Sequence, residues 1–167
     1  KEIIGLLDNA ETWKKPAIVC LFLTDNVMHW RACHKLSDEM RYDLRIIPYL
    51  WKSYFYKGKK IMDAGPKEFV KEIALADCIV TDSFHAVGFS IIFHKEFYVF
   101  ERFDNKNPFS QNERIRDLLE FLGLGSRIIR YNSKSIRVQP PINYQSVVEL
   151  LQNRIDKSKE LLLDAIC

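Results

Sequence analysis

A chain of 167 residues, 47% hydrophobic and 13% aromatic, has enough apolar material for the core of one domain, which excludes a disordered polymer. The net charge of +3, from 25 basic and 22 acidic residues spread along the chain, is too small and too even for a nucleic-acid-binding protein. No apolar run approaches the about 20 residues needed to span a bilayer, and the start KEIIGLLDNAETW is amphipathic and acidic, unlike a signal peptide.

The chain does not begin with Met and is read as a fragment or domain of a longer protein. Cys20, Cys33, Cys78 and Cys167 form no C-x-x-C pair, and Cys20 and Cys78 fall within expected strands. They read as small buried hydrophobes in a reducing cytoplasm, not as a zinc site or disulfide framework.

In chain order, Ile3, Ile4, Leu7, Ala10 and Trp13 share one face of a helix over 3–13, which Pro16 stops. Residues 17–23 (AIVCLFL) are a continuous apolar run, the pattern of a fully buried strand. Thr24-Asp25-Asn26 supplies a turn and N-cap for a helix over 27–41 with Met28, Cys33, Leu36 and Met40 among its apolar positions. A second strand covers 44–49. Residues 50–60 mix Trp51, Tyr54, Phe55 and Tyr56 with Lys52, Lys57, Lys59 and Lys60. Two readings are open there: a basic-aromatic ligand loop, or a connection that packs its rings on the core and exposes its lysines.

Asp63-Ala64-Gly65-Pro66 is a turn, with Pro66 placed for the first position of a helix over 66–76 that buries Phe69, Val70, Ile73 and Ala74. A third strand at 78–81 leads through a polar break into an apolar helix over 84–93. A fourth strand covers 97–100 (FYVF). After the irregular stretch 101–111, a helix over 112–122 presents Ile115, Leu118, Leu119 and Leu122, and Gly123 ends it. Residues 127–131 suit a short fifth strand and Pro140-Pro141 a linker. A final helix over 143–165 has Val147, Leu150, Leu151, Ile155 and Leu162 on its inner face. Wholly apolar strands alternating with helices define an α/β fold: a Rossmann-like, doubly wound parallel sheet in one domain.

Ligands of such sheets bind beyond the carboxyl ends of the strands, here at loops 24–27, 81–85 and 101–112. The second holds Thr81, Asp82, Ser83 and His85 where a helix begins, so unpaired N–H groups and the helix dipole favour an anion there. Ser83 can add a hydroxyl, and His85 can touch a bound phosphate or carboxylate and move a proton. Equally, Asp82 or Ser83 can be a plain N-cap. Arg102, Lys106, Asn112 and Arg114 of the third loop can reach the same crevice, or Arg114 can belong to a solvated first helical turn. His29, His34 and His94 lack ligand-type spacing.

The string TDSFHAVGFSIIF at 81–93, followed by FYVF, resembles the core motif of the polysaccharide pyruvyl transferase family: a strand, T-D-[RS]-x-H-G and a small-residue helix. Asp63-Ala64-Gly65-Pro66-Lys67-Glu68-Phe69 resembles the family's upstream D-x-G-P-x-x-F. Asn112-Glu113-Arg114-Ile115, with Leu118-Leu119 and Leu122-Gly123-Leu124, resembles its downstream N-x-R-I…LL…LGL. Order and spacing agree over roughly residues 60–130. Many members have Arg at the position of Ser83, and the motif Gly is Ala86 here, which places a methyl near the expected anion site.

The resemblance implies the C-terminal, Rossmann-like half of a two-domain enzyme similar to GT-B glycosyltransferases. The activity implied is transfer of pyruvate from phosphoenolpyruvate to sugar hydroxyls as a ketal, during synthesis of surface polysaccharide. His85 corresponds to the motif histidine and takes the catalytic role, as acid or phosphate contact. Ser83, Asp82, Arg102, Asn112 and Arg114 form the substrate-binding set. No metal and no cofactor is expected. The implied partners are phosphoenolpyruvate as donor, a glycan or lipid-linked sugar as acceptor, and the N-terminal domain. The implied location is the cytoplasm, free or peripheral at the inner membrane surface. A GT-B glycosyltransferase using a nucleotide sugar, and a non-catalytic binding module of the same fold, are the alternatives.

Overall fold

A computed structural model describes residues 13, 15–62, 64–104 and 112–166. The helix expected over 3–13, apart from Trp13, and the residues Asp63, Lys106 and Cys167 lie outside the described residues. Within them, six strands form one sheet: β1 (Ala17–Leu21), β2 (Asp43–Ile46), β3 (Lys59–Lys60), β4 (Cys78–Thr81), β5 (Glu96–Phe100) and β6 (Ile128–Ile129). Their order is β3-β2-β1-β4-β5-β6 and every pairing is parallel. The helices are α1 (Val27–Met40), α2 (Pro66–Leu75), α3 (Phe84–Ile92), α4 (Asn112–Phe121) and α5 (Tyr144–Ile166).

Alternation along the strands divides the interior into two cores. Ile18, Cys20, Cys78, Val80, Tyr98 and Phe100 face α1 and pack with Trp30, Cys33 and Leu36. Val19, Leu21, Ile79, Phe97 and Val99 face the opposite way, onto Ile73 of α2, Ala86, Val87 and Ile91 of α3, Ile115 and Leu119 of α4 and Val147 of α5. Burial on both faces is why the strands read as unbroken apolar runs. Cys20, Cys33 and Cys78 are free thiols buried in the first of these cores.

Several boundaries follow local chemistry. Asn26 caps α1, its side chain accepting from the Met28 N–H at 2.9 Å. Pro66 opens α2. Gly123 takes a φ of +69° after α4, the left-handed conformation its lack of a Cβ permits. β1 ends two residues early, at Leu21, because the Leu23 N–H is taken by a side chain across the sheet. β3 was not expected. Its two lysines pair only with β2, at the sheet edge, without an apolar run to announce them.

The last helix corrects the expected inner face. Val147 is buried and Leu150 and Leu151 are half-buried, but Ile155 is 46% and Leu162 62% exposed. A helix of 23 residues is about 35 Å long, whereas the central five-residue strands run about 17 Å, so α5 outruns the layer it packs on. The start of α5 is pinned by the chain before it: Ile142 N–H donates to Glu96 Oε1 at 2.8 Å, and Gln139 N–H to the Tyr98 hydroxyl at 2.9 Å. Among the described residues, no helix is long and apolar enough to cross a membrane.

Candidate functional site

Strand order reverses between β1 and β4: from β1 the chain winds outward to β2 and β3, then returns to β4 on the other side. In parallel sheets, ligands are held beyond the carboxyl ends of the strands at such a reversal. The loops concerned are 22–26 and 81–83.

The two loops are tied together by the motif residues. Thr81 Oγ1 donates to the Leu21 carbonyl at 2.7 Å and accepts from the Ser83 N–H at 3.0 Å. Asp82 is fully buried, and its carboxylate accepts from Leu23 N–H (2.7 Å), Thr24 N–H (3.0 Å) and Thr24 Oγ1 (2.6 Å). Burial raises its pKa. The hydrogen bonds from Leu23 and Thr24 and the charge of Arg102 work in the opposite direction. Asp82 therefore acts as a clamp between β1 and β4, with its oxygens turned into protein. Neither Leu23 nor Thr24 carries a sequence signal for this, because a backbone N–H is common to almost every residue.

Ser83 is buried at the N-cap position of α3, yet its hydroxyl makes no capping hydrogen bond. Its carbonyl accepts from the Val87 N–H. Ala86 packs into the core with Val87, so its methyl fills the interior beneath α3 instead of standing over the crevice. His85, one residue into the helix, is exposed, with the Phe84 ring edge-on at 6.3 Å. Arg114, in the first turn of α4, lays its guanidinium over the same Phe84 ring at 4.6 Å. Phe84 thus gathers His85 and Arg114 onto one patch at the carboxyl edge.

Arg102 joins from the loop after β5, donating to the Asp82 carbonyl at 3.0 Å. Asn112 is buried and spans the chain after β5, accepting from the Arg102 N–H (2.9 Å) and donating to the Phe103 carbonyl (2.8 Å). The arrangement separates two groups. His85 and Arg114 face outward; Asp82, Ser83 and Asn112 are buried and hold the loops.

A second buried constellation adjoins this edge. His29, in the first turn of α1, stacks on Phe100 at 4.2 Å and lies 3.2 Å from the Tyr131 carbonyl through Nε2, while Asn26 donates to the same carbonyl at 3.0 Å. His29 Nδ1 is buried without a hydrogen-bond partner. Burial lowers its pKa from 6.5 to about 4, against the opposing hydrogen bond to Tyr131. In that interval the unfolded chain carries a proton the folded chain refuses, so stability falls as pH falls. We expect the free energy of unfolding to drop by about 2–3 kcal/mol between pH 7 and pH 4 through this residue. Urea midpoints across that range should show the slope, and His29→Phe should flatten it. An identical acid limb in the variant would assign the slope elsewhere.

Strand order and all-parallel pairing define a Rossmann-like α/β domain. The family model described as polysaccharide pyruvyl transferase matches residues 16–105, more than half of the chain, and the chain belongs to that family. The match runs from the start of β1 past Arg102 and so includes Asp82, Ser83 and His85. None of the curated proteins compared matches in sequence. Among solved structures, the chain is similar to a UDP-GlcNAc 2-epimerase from Neisseria meningitidis bound to UDP-GlcNAc, at 8% identity and a TM-score of 0.48. The likeness covers 95% of this chain and 40% of that one.

Proposed function

We propose that this chain is the donor-binding, C-terminal half of a two-domain transferase of GT-B organisation, which moves pyruvate from phosphoenolpyruvate to sugar hydroxyls as a ketal. The observation that carries this reading is the patch at the switch point. His85 is exposed in the first turn of α3, and Arg114 is held beside it over Phe84. A helix N-terminus whose cap hydroxyl is not engaged in capping, flanked by a guanidinium, suits a small polyanion such as a phosphate ester with a carboxylate.

The chemistry follows from the donor. His85, as general acid, gives a proton to the methylene carbon of the enol, and positive character develops at the central carbon. One sugar hydroxyl adds there. A second then displaces phosphate, breaking the bond between that carbon and the phosphate oxygen and closing the ketal. Of the two hydroxyl protons released, one replaces the proton given by His85 and the other leaves on phosphate. Asp82, Ser83, Asn112 and the backbone contact of Arg102 hold the turn in place. The cytoplasm, free or at the inner membrane surface, is the compartment that supplies phosphoenolpyruvate.

Thermal-shift titration of the full-length protein tests the donor. Phosphoenolpyruvate should raise the melting temperature and nucleotide sugars should not. Arg114→Ala should weaken the phosphoenolpyruvate response about tenfold, as loss of a charge-assisted contact does. Stabilisation by a nucleotide sugar alone would overturn the reading.

A further inference from the structure

The segment after β2 carries four exposed aromatic side chains in seven residues: Tyr49 (65%), Trp51 (76%), Tyr54 (42%) and Phe55 (72%). Of the two readings open for this stretch, core packing describes only Tyr56, which stacks on Trp30 at 4.5 Å. Lys60 behaves in the opposite way to an exposed lysine: it is half-buried and donates to the Tyr56 and Gly58 carbonyls. Rings of this size left in water call for a ligand or partner.

We propose that Trp51, Tyr54 and Phe55 form a stacking platform for the pyranose rings of the acceptor glycan, an inference that rests on the pyruvyl-transfer reading and deepens it. Position is the first argument. Residues 51–55 form a 3-10 turn, and Lys52 Nζ meets Asp25 Oδ2 at 2.5 Å. Asp25 follows Thr24, whose backbone and hydroxyl are held by Asp82. The rings therefore stand on the same sheet edge as His85, joined to the switch point by a chain of two contacts.

Preorganisation is the second argument. Ser53 is buried and its N–H bonds the Leu50 carbonyl at 2.9 Å, which seats the turn. Phe55 packs edge-on to Trp51 at 5.4 Å and Tyr54 lies tilted at 6.3 Å, so the rings brace one another with their faces differently inclined. Ligand chemistry is the third. The electron-rich face of an aromatic ring attracts the polarised C–H groups of a sugar ring. Lys52 and the Tyr54 hydroxyl interrupt the apolar surface with polar groups, as a ligand with apolar faces and hydroxyl edges requires. Charge agrees: of the four lysines in residues 49–60, Lys52 is paired with Asp25 and Lys60 bonds backbone carbonyls, which leaves the exposed Lys57 and Lys59 to attract a glycan bearing carboxylate or phosphate.

Binding of the full-length protein to an array of neutral and uronate-containing pyranose oligosaccharides tests the platform. Trp51→Ala and Phe55→Ala should each weaken glycan binding about tenfold. Trp51→Phe, which keeps a ring face, should lose less, and all three variants should keep the wild-type thermal shift with phosphoenolpyruvate. Absence of glycan binding by the wild type would overturn the proposal, as would binding indifferent to both alanines. Loss of adhesion to anionic phospholipid vesicles in the alanine variants, with glycan binding intact, would also overturn it. If phosphoenolpyruvate gives no shift but the alanines still weaken glycan binding, the donor assignment falls and the platform stands.

Discussion

His85→Gln in the full-length enzyme should lower phosphate release by roughly 10²–10⁴-fold, the range in which a general acid contributes. Glutamine is close to histidine in size and keeps a hydrogen-bond donor, but it cannot deliver a proton to carbon. The fold should tolerate the change, because His85 is exposed and its ring meets only the edge of Phe84. Continuous measurement of inorganic phosphate, with far-ultraviolet circular dichroism as the folding control, separates the outcomes. Near-normal turnover by a folded variant would remove His85 from the mechanism. Loss of turnover with an unchanged phosphoenolpyruvate thermal shift would place it in the proton-transfer step instead of donor binding.

Asp82→Ala should destabilise the domain by about 2–5 kcal/mol, the second large effect. The substitution leaves the buried N–H groups of Leu23 and Thr24 without their acceptor and opens a space at the centre of the sheet edge. Urea unfolding followed by fluorescence gives the size directly. Asp82→Asn should cost less, since its carbonyl still accepts one N–H. Its amide nitrogen would face the other donor, so some loss must remain. Wild-type stability in Asp82→Ala would mean that the two loops are held by the sheet alone. The clamp also predicts a functional echo: phosphoenolpyruvate response should fall in both variants although Asp82 is turned away from the crevice.

The stretch 76–93 shows how much of this was legible beforehand. Its apolar run, polar break and small-residue helix gave β4, the turn and α3 to within one residue, because each of those features is local. Pro66, Asn26 and Gly123 were equally readable, since a proline at a first turn, a capping side chain and a left-handed glycine depend on neighbouring backbone only. Where the reading failed, the deciding contact was distant. Leu162 fits an inner face by periodicity, but the layer under α5 stops short of it. Ala86 stands beside the motif histidine in sequence and yet points into the core, because successive helical residues differ in direction by about 100°.

The candidate site divides the same way. His85 was singled out from its place in the chain, and its side chain is exposed at the start of α3. Asp82 was grouped with it as a binding residue, but its carboxylate is committed to Leu23 and Thr24, 59 and 58 residues earlier in the chain. The exposed rings of 49–55 were visible as composition, while their orientation was not. By itself, then, the amino-acid sequence determined the succession of strands, turns and helices, apart from the two-residue edge strand β3, and the location of the motif, because periodicity and capping are settled within a few residues. Only the tertiary structure decided which motif residues face solvent and which hold the scaffold. That depends on β1 and β4 lying side by side, a neighbourhood set by the winding of the whole sheet and by no short-range preference.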